Sequence, residues 1–136
     1  MIKTIVKDTF FLAQKSHQAT KKDLGIAQDL QDTLAAHRES CVGLSANMIG
    51  YQKHVIIISM GFVDLVMFNP VLLDKREPFE TEESCLSLVG VRPARRYREI
   101  VVSYQDHHWQ KKTITLKDFL AQICQHELDH LEGIII

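Results

Sequence analysis

The spacing of apolar positions changes along this chain. Between Thr20 and His37, Leu24, Ala27, Leu30 and Leu34 recur at the three-to-four spacing that places side chains on one side of a helix. Thr20 and Asp23 have the spacing of a capping box, with Asp in place of the usual Glu. The pattern predicts a scaffolding helix from Lys21 to about His37. The middle of the chain then changes to β. His54 to Met60 is a β-branched apolar run ended by Gly61, and Leu65 to Phe68 follows, which predicts a hairpin broken by Asn69-Pro70. Segment 73–84 is acidic and polar and predicts a loop. Ile100 to Tyr104 and Lys112 to Thr115 flank Gln105-Asp106-His107-His108-Trp109, a second predicted hairpin.

Helical spacing returns near the end. Thr115 and Asp118 again have cap spacing, and Gly133 suits the position just past a helix. Leu116, Phe119, Leu120, Ile123, Cys124 and Leu131 form an apolar stripe. Glu127 and His130 fall on the same stripe, with His126 at its edge. A carboxylate and two imidazoles on a buried face are costly unless paired or bound to something, so this helix carries the first sign of chemistry.

Residues 126–130 read His-Glu-Leu-Asp-His, an H-E-x-x-H pattern. Residues four apart lie one turn apart, so His126 and His130 can bind one metal together, with Glu127 beside them to take a proton from water. A third ligand has to come from upstream. Glu132, two residues past His130, points off the ligand face. The candidates are His37, Cys41, His54, Cys85 and the His107–His108 pair, with Cys85 foremost because it sits between an acidic loop and an extended stretch. A Cys-His-His set suits Zn²⁺ or Fe²⁺ and leaves a fourth position open.

Composition narrows the reading. At 136 residues the chain has room for one domain, 1–136, and can bury a core without disulfides. Three separated cysteines argue against a secreted disulfide scaffold. The charge of −1 gives no signal for nucleic acid. The longest purely apolar runs, Val55 to Ile58 among them, are far short of the roughly 20 residues that span a bilayer. A reduced, cytoplasmic, soluble protein is expected.

Three segments together resemble the peptide deformylase family. His126-Glu127-Leu128-Asp129-His130 matches the family's H-E-x-D-H. Glu83-Ser84-Cys85-Leu86-Ser87 matches E-G-C-L-S with one change. Cys41-Val42-Gly43-Leu44-Ser45-Ala46-Asn47-Met48 resembles G-φ-G-L-A-A-x-Q with three. Asn69-Pro70 ahead of the second motif and Arg92 after Cys85 also fit. The resemblance implies an α+β fold, with antiparallel sheets around a central C-terminal helix that carries the H-E-x-D-H motif. It implies Cys85, His126 and His130 as ligands of Fe²⁺, often replaced by Zn²⁺, Ni²⁺ or Co²⁺. The implied reaction removes the N-formyl group from the initiator methionine of new polypeptides, in the bacterial cytoplasm near ribosomes. Glu127 is the implied proton carrier, and the backbone N–H of Leu86 the oxyanion donor. Gly43, position 48 and Arg92 face the substrate, whose methionine side chain takes an apolar pocket.

The chain departs from the family where substrate is held. Met48 stands where the family has Gln, and a thioether donates no hydrogen bond. Losing one such donor typically costs about 10²–10³ in rate. Cys41 and Ser45 replace Gly and Ala, and Ser84 replaces Gly. The expectation is an intact metal set with reduced or shifted activity. A non-catalytic homologue that binds metal or formyl peptide, or a metallo-amidase acting on another N-acyl amine, are the alternatives.

Overall fold

A computed structural model describes residues 1–136. Its centre is a five-stranded antiparallel sheet in the order β1-β2-β3-β4-β5: β1 Gly43–Ser45, β2 Val55–Ser59, β3 Asp64–Cys85, β4 Leu88–Gln105 and β5 Lys111–Lys117. Three helices accompany it, α1 Thr9–Leu12, α2 Gly25–Ala36 and α3 Asp118–Leu131. Strand β2 explains why its sequence is apolar without alternation. Val55 and Ile57 pack into one core with Leu30 and Leu34 of α2, while Ile56 and Ile58 pack into a second core with Ile123 and Leu131 of α3. Successive side chains of a strand point to opposite faces, and here both faces are covered.

The predicted helix near Thr20 forms with a different start. The capping box of Thr20 and Asp23 is present, but it closes a 3-10 turn at Lys21–Asp23, and α2 begins at Gly25. Both hairpins are also present. Leu65 pairs with Ile58, and Val102 with Ile114.

Two local expectations are corrected. Segment 73–84 is strand, not loop. It runs within β3 and pairs with β4, with Glu80 opposite Arg95, Arg76 opposite Glu99 and Glu83 opposite Arg92. The first two of these pairs are ion pairs across the ladder, and the Arg98 guanidinium lies 4.5 Å from the centre of the Phe79 ring. Much of it is solvent-exposed, so no apolar alternation marks it. Asn69-Pro70 does not end the strand either. Asn69 adopts φ 51° at a register shift, and its side chain binds the Ala19 backbone at both N and O. With α3 packed against this antiparallel sheet, the fold is the α+β arrangement that was expected.

The start of α3 also differs. Thr115 is in β5, opposite Val101, and the cap is Lys117, with no side-chain capping bond. The strand's ladder with β4 runs on to Lys117 and leaves no room for a cap at Thr115. The other end is as expected. Gly133 has φ 78°, Ile134 N–H reaches back to Asp129 O, and a side chain at Gly133 would collide with the Ala13 carbonyl.

Candidate metal centre and cleft

The sheet and α3 bring together three donors remote in sequence. Cys85 ends β3 at the turn into β4, and His126 and His130 lie one turn apart on α3. One donor atom from each lies within 4.8 Å of the others, and the two imidazole centroids are 4.4 Å apart. Of the other upstream candidates only Cys41 lines the cleft, and its thiol donates to Gly43 O at 2.9 Å. Burial pushes that thiol up to about 12. His37 Nδ1 is spent on Thr33 O, and His107 and His108 stack on each other in the β4–β5 turn.

The donor set fits a divalent cation. Burial alone would raise the Cys85 thiol, but hydrogen bonds from the two histidines outweigh it and bring the group down to about 6. Burial works against charge on His126 and His130 too. Cys85 together with Glu83 lifts the first to about 9, and Cys85 together with Glu127 lifts the second to about 10. Without a cation, the cluster supplies its own positive charge to satisfy a buried thiolate. That is the electrostatic demand a metal ion would meet.

A network behind the donors fixes them. Glu83 accepts from His126 Nδ1 at 2.8 Å, which leaves Nε2 of that ring as the free donor. Arg96 grips Glu83 with two bonds, 2.9 and 2.7 Å, and reaches Asp129 at 2.7 Å. Gln122 adds a fourth bond to the same carboxylate. Burial would raise Glu83, yet His126 and Arg96 hold it down to about 2. Sequence reasoning missed Glu83, Arg96 and Gln122. The acidic residue two before Cys85 and the Asp inside the helix motif were the available signals.

Glu127 is 4% exposed, lines the cleft, and its Oε1 has no hydrogen-bond partner of good geometry. A buried carboxylate oxygen left open beside two imidazoles is poised for an incoming molecule. The cleft encloses about 350 Å³. Gly43, Met48 and Leu86 line it, and Gly43 lies on the edge strand β1. A Cβ at Gly43 would stand 2.8 Å from Ile123 and 3.0 Å from Glu127 Oε2, so only glycine allows this approach. The walls are more mixed than the apolar pocket expected: Ser40, Glu82, Ser84 and Gln122 share them with Val42 and Phe119. Arg92 is not among them. Its guanidinium rests on Val89 O at 3.4 Å near the β3–β4 turn, while Arg96 on the same side of β4 turns inward.

A His-Glu-x-x-His helix with a strand-end cysteine beside an open carboxylate is an arrangement able to hold a divalent metal and to pass a proton, the equipment of metal-dependent hydrolases. The polypeptide deformylase family model matches residues 2–136. A peptide deformylase of Clostridium beijerinckii is 54% identical over 136 residues, covering 100% of both chains. One of Nitrosococcus oceani is 35% identical over 112 residues, 79% of this chain and 66% of that one. Among solved structures, a peptide deformylase from Legionella pneumophila superposes with a TM-score of 0.90 at 27% identity, over 99% of this chain and 83% of that one. One from Thermotoga maritima gives 0.89 at 25%, over 99% and 96%. The chain belongs to the polypeptide deformylase family, metal-dependent hydrolases that remove the N-formyl group from nascent peptides. No helix is long and apolar enough to cross a membrane.

Proposed function

We propose that residues 1–136 act as one metallohydrolase domain that removes the N-formyl group from N-formylmethionyl peptides, with turnover limited on the substrate side by Met48. The carrying observation is the convergence of Cys85, His126 and His130 beside the open Glu127 carboxylate. Those three residues would hold the metal: Fe²⁺ by family resemblance, or Zn²⁺, Ni²⁺ or Co²⁺. A cation bound there supplies a Lewis acid, which polarises a carbonyl and makes water more acidic.

The chain's own groups do the rest. Glu127 takes a proton from the attacking water and returns it to the leaving amine, so that R–NH–CHO and H₂O give R–NH₂ and formic acid. The Leu86 N–H donates to the oxygen that gains charge. Gly43 offers backbone bonds to the substrate chain from the free edge of β1. Met48 is 2% exposed on the cleft wall and contributes shape without a donor. Arg92 would touch only substrate residues that extend beyond the cleft. The reading places the protein in the bacterial cytoplasm, on nascent chains near the ribosome.

The test is formate release from formyl-Met-Ala-Ser by protein loaded anaerobically with Fe²⁺, with Glu127→Ala as the blank. Release above the blank is expected. Metal-loaded protein that releases none would favour the second reading, a non-catalytic homologue, which Met48 motivates.

A further inference from the structure

The two histidines are anchored by different chemistry. His126 leans on a carboxylate, whereas His130 meets a hydroxyl. Ser45 Oγ lies 3.3 Å from His130 Nδ1. The same hydroxyl donates to the Asn47 side-chain oxygen, and Asn47 Nδ2 donates to the His130 carbonyl at 2.9 Å. The three residues close a ring of hydrogen bonds, and all are at least nine-tenths buried. Both polar side chains come from the segment where β1 passes into the 3-10 turn Ala46–Ile49.

Donor accounting gives the ring a direction. A serine hydroxyl has one proton, and here it goes to Asn47. The lone pairs facing His130 can then only accept, so His130 carries its proton on Nδ1. In the neutral ring that a metal would require, Nε2 is then left with a lone pair. Glu127 Oε1 lies 3.2 Å from the same Nδ1 and competes for that proton. With Ser45 as acceptor, Glu127 is not consumed in holding its neighbour.

We infer that Ser45, backed by Asn47, is a positioning residue that sets the tautomer and angle of His130 as a metal ligand and keeps Glu127 free for proton transfer. This rests on the reading that Cys85, His126 and His130 hold a metal. It adds that the motif around Gly43 serves the metal as well as the substrate. Alanine, the family's residue at position 45, would retain the fold and lose the hydroxyl.

The experiment measures Zn²⁺ affinity of the full chain by competition with a chelator, beside the Co²⁺ absorption spectrum. Ser45→Ala is expected to weaken binding about 10–100-fold and to shift the Co²⁺ bands. Leu30→Val, a trim beneath α2 that removes no group of the ring or the donor set, should lower the melting temperature and leave affinity unchanged. Ser45→Ala binding as tightly as the parent, with an unchanged spectrum, overturns the inference. Cys85→Ala separates the two readings: if it keeps full Zn²⁺ affinity, the metal reading itself fails. Nitrogen NMR of the Zn²⁺-loaded parent protein gives a check that needs no variant. A proton on His130 Nδ1 is required, and a proton on Nε2 instead would refute the ring.

Discussion

The two long walls of the cleft are built on opposite principles. On the α3 side the buried charges are answered, save for the open oxygen of Glu127. Glu83 takes bonds from His126, Arg96 and Gln122, and Arg96 also holds Asp129. On the β1 side the wall is backbone and small or apolar side chains, with Cys41 donating to its own strand and Met48 offering sulfur. The charged wall holds its geometry through directional bonds. The other holds its geometry through close packing, down to a glycine that no side chain could replace without moving Glu127. The two walls meet at Ser45, whose hydroxyl lies 3.3 Å from His130 Nδ1, and at Gly43, so a change at either point reaches across to α3.

The sharpest break comes from the open carboxylate. Glu127→Ala should lower formate release by about 10²–10⁴ while chelator competition shows metal still bound. Next is the charged wall's keystone. Arg96→Ala leaves Glu83 buried without its cation, and urea unfolding should show a loss of about 3–5 kcal/mol. The quieter wall is probed by Met48→Gln. A side-chain donor restored there should raise kcat about 10²-fold with little change in KM, and an unchanged kcat would mean that the donor is supplied elsewhere.

The smallest effect concerns the loop that feeds β1. Arg38 binds Asp64 with two bonds, 2.7 and 2.8 Å, and also reaches Ser59, which itself holds Val42 O. Arg38 holds the Asp64 carboxyl below its ordinary value. Stability from this contact is therefore present above the unfolded carboxylate range and is lost as pH falls through the folded value. The advantage of the parent over Asp64→Asn in thermal melts should be small at neutral pH and vanish in acid.

The helices and the β2 run were legible because burial imposes a period on them. Leu30 and Leu34 meet a core at helical spacing, and Val55–Ile58 is apolar throughout because both faces are covered. The H-E-x-D-H pattern showed its two candidate ligands because i and i+4 share a helix face. Segment 73–84 was invisible for the opposite reason. Its support is charge paired across strands, and no spacing along one strand records its partner. Distance in sequence also hid the network behind the donors. Arg96 joins Glu83 to Asp129 across 13 and 33 residues, and nothing local marks that arginine out from Arg92, which fits the resemblance and lies outside the cleft wall. Ser45 appeared in sequence only as a departure from the motif, and its contact with His130 spans 85 residues.

Cys85 and the histidines of α3 belong to different elements, and the unfolded chain has no reason to keep them within reach. A cation that needs all three therefore binds the native state almost exclusively. By mass action, free metal at 100 times its dissociation constant adds about 2.7 kcal/mol to the unfolding free energy. The metal content of the cell's free pool would then govern how long each copy of this protein survives proteolysis, quite apart from how fast it works.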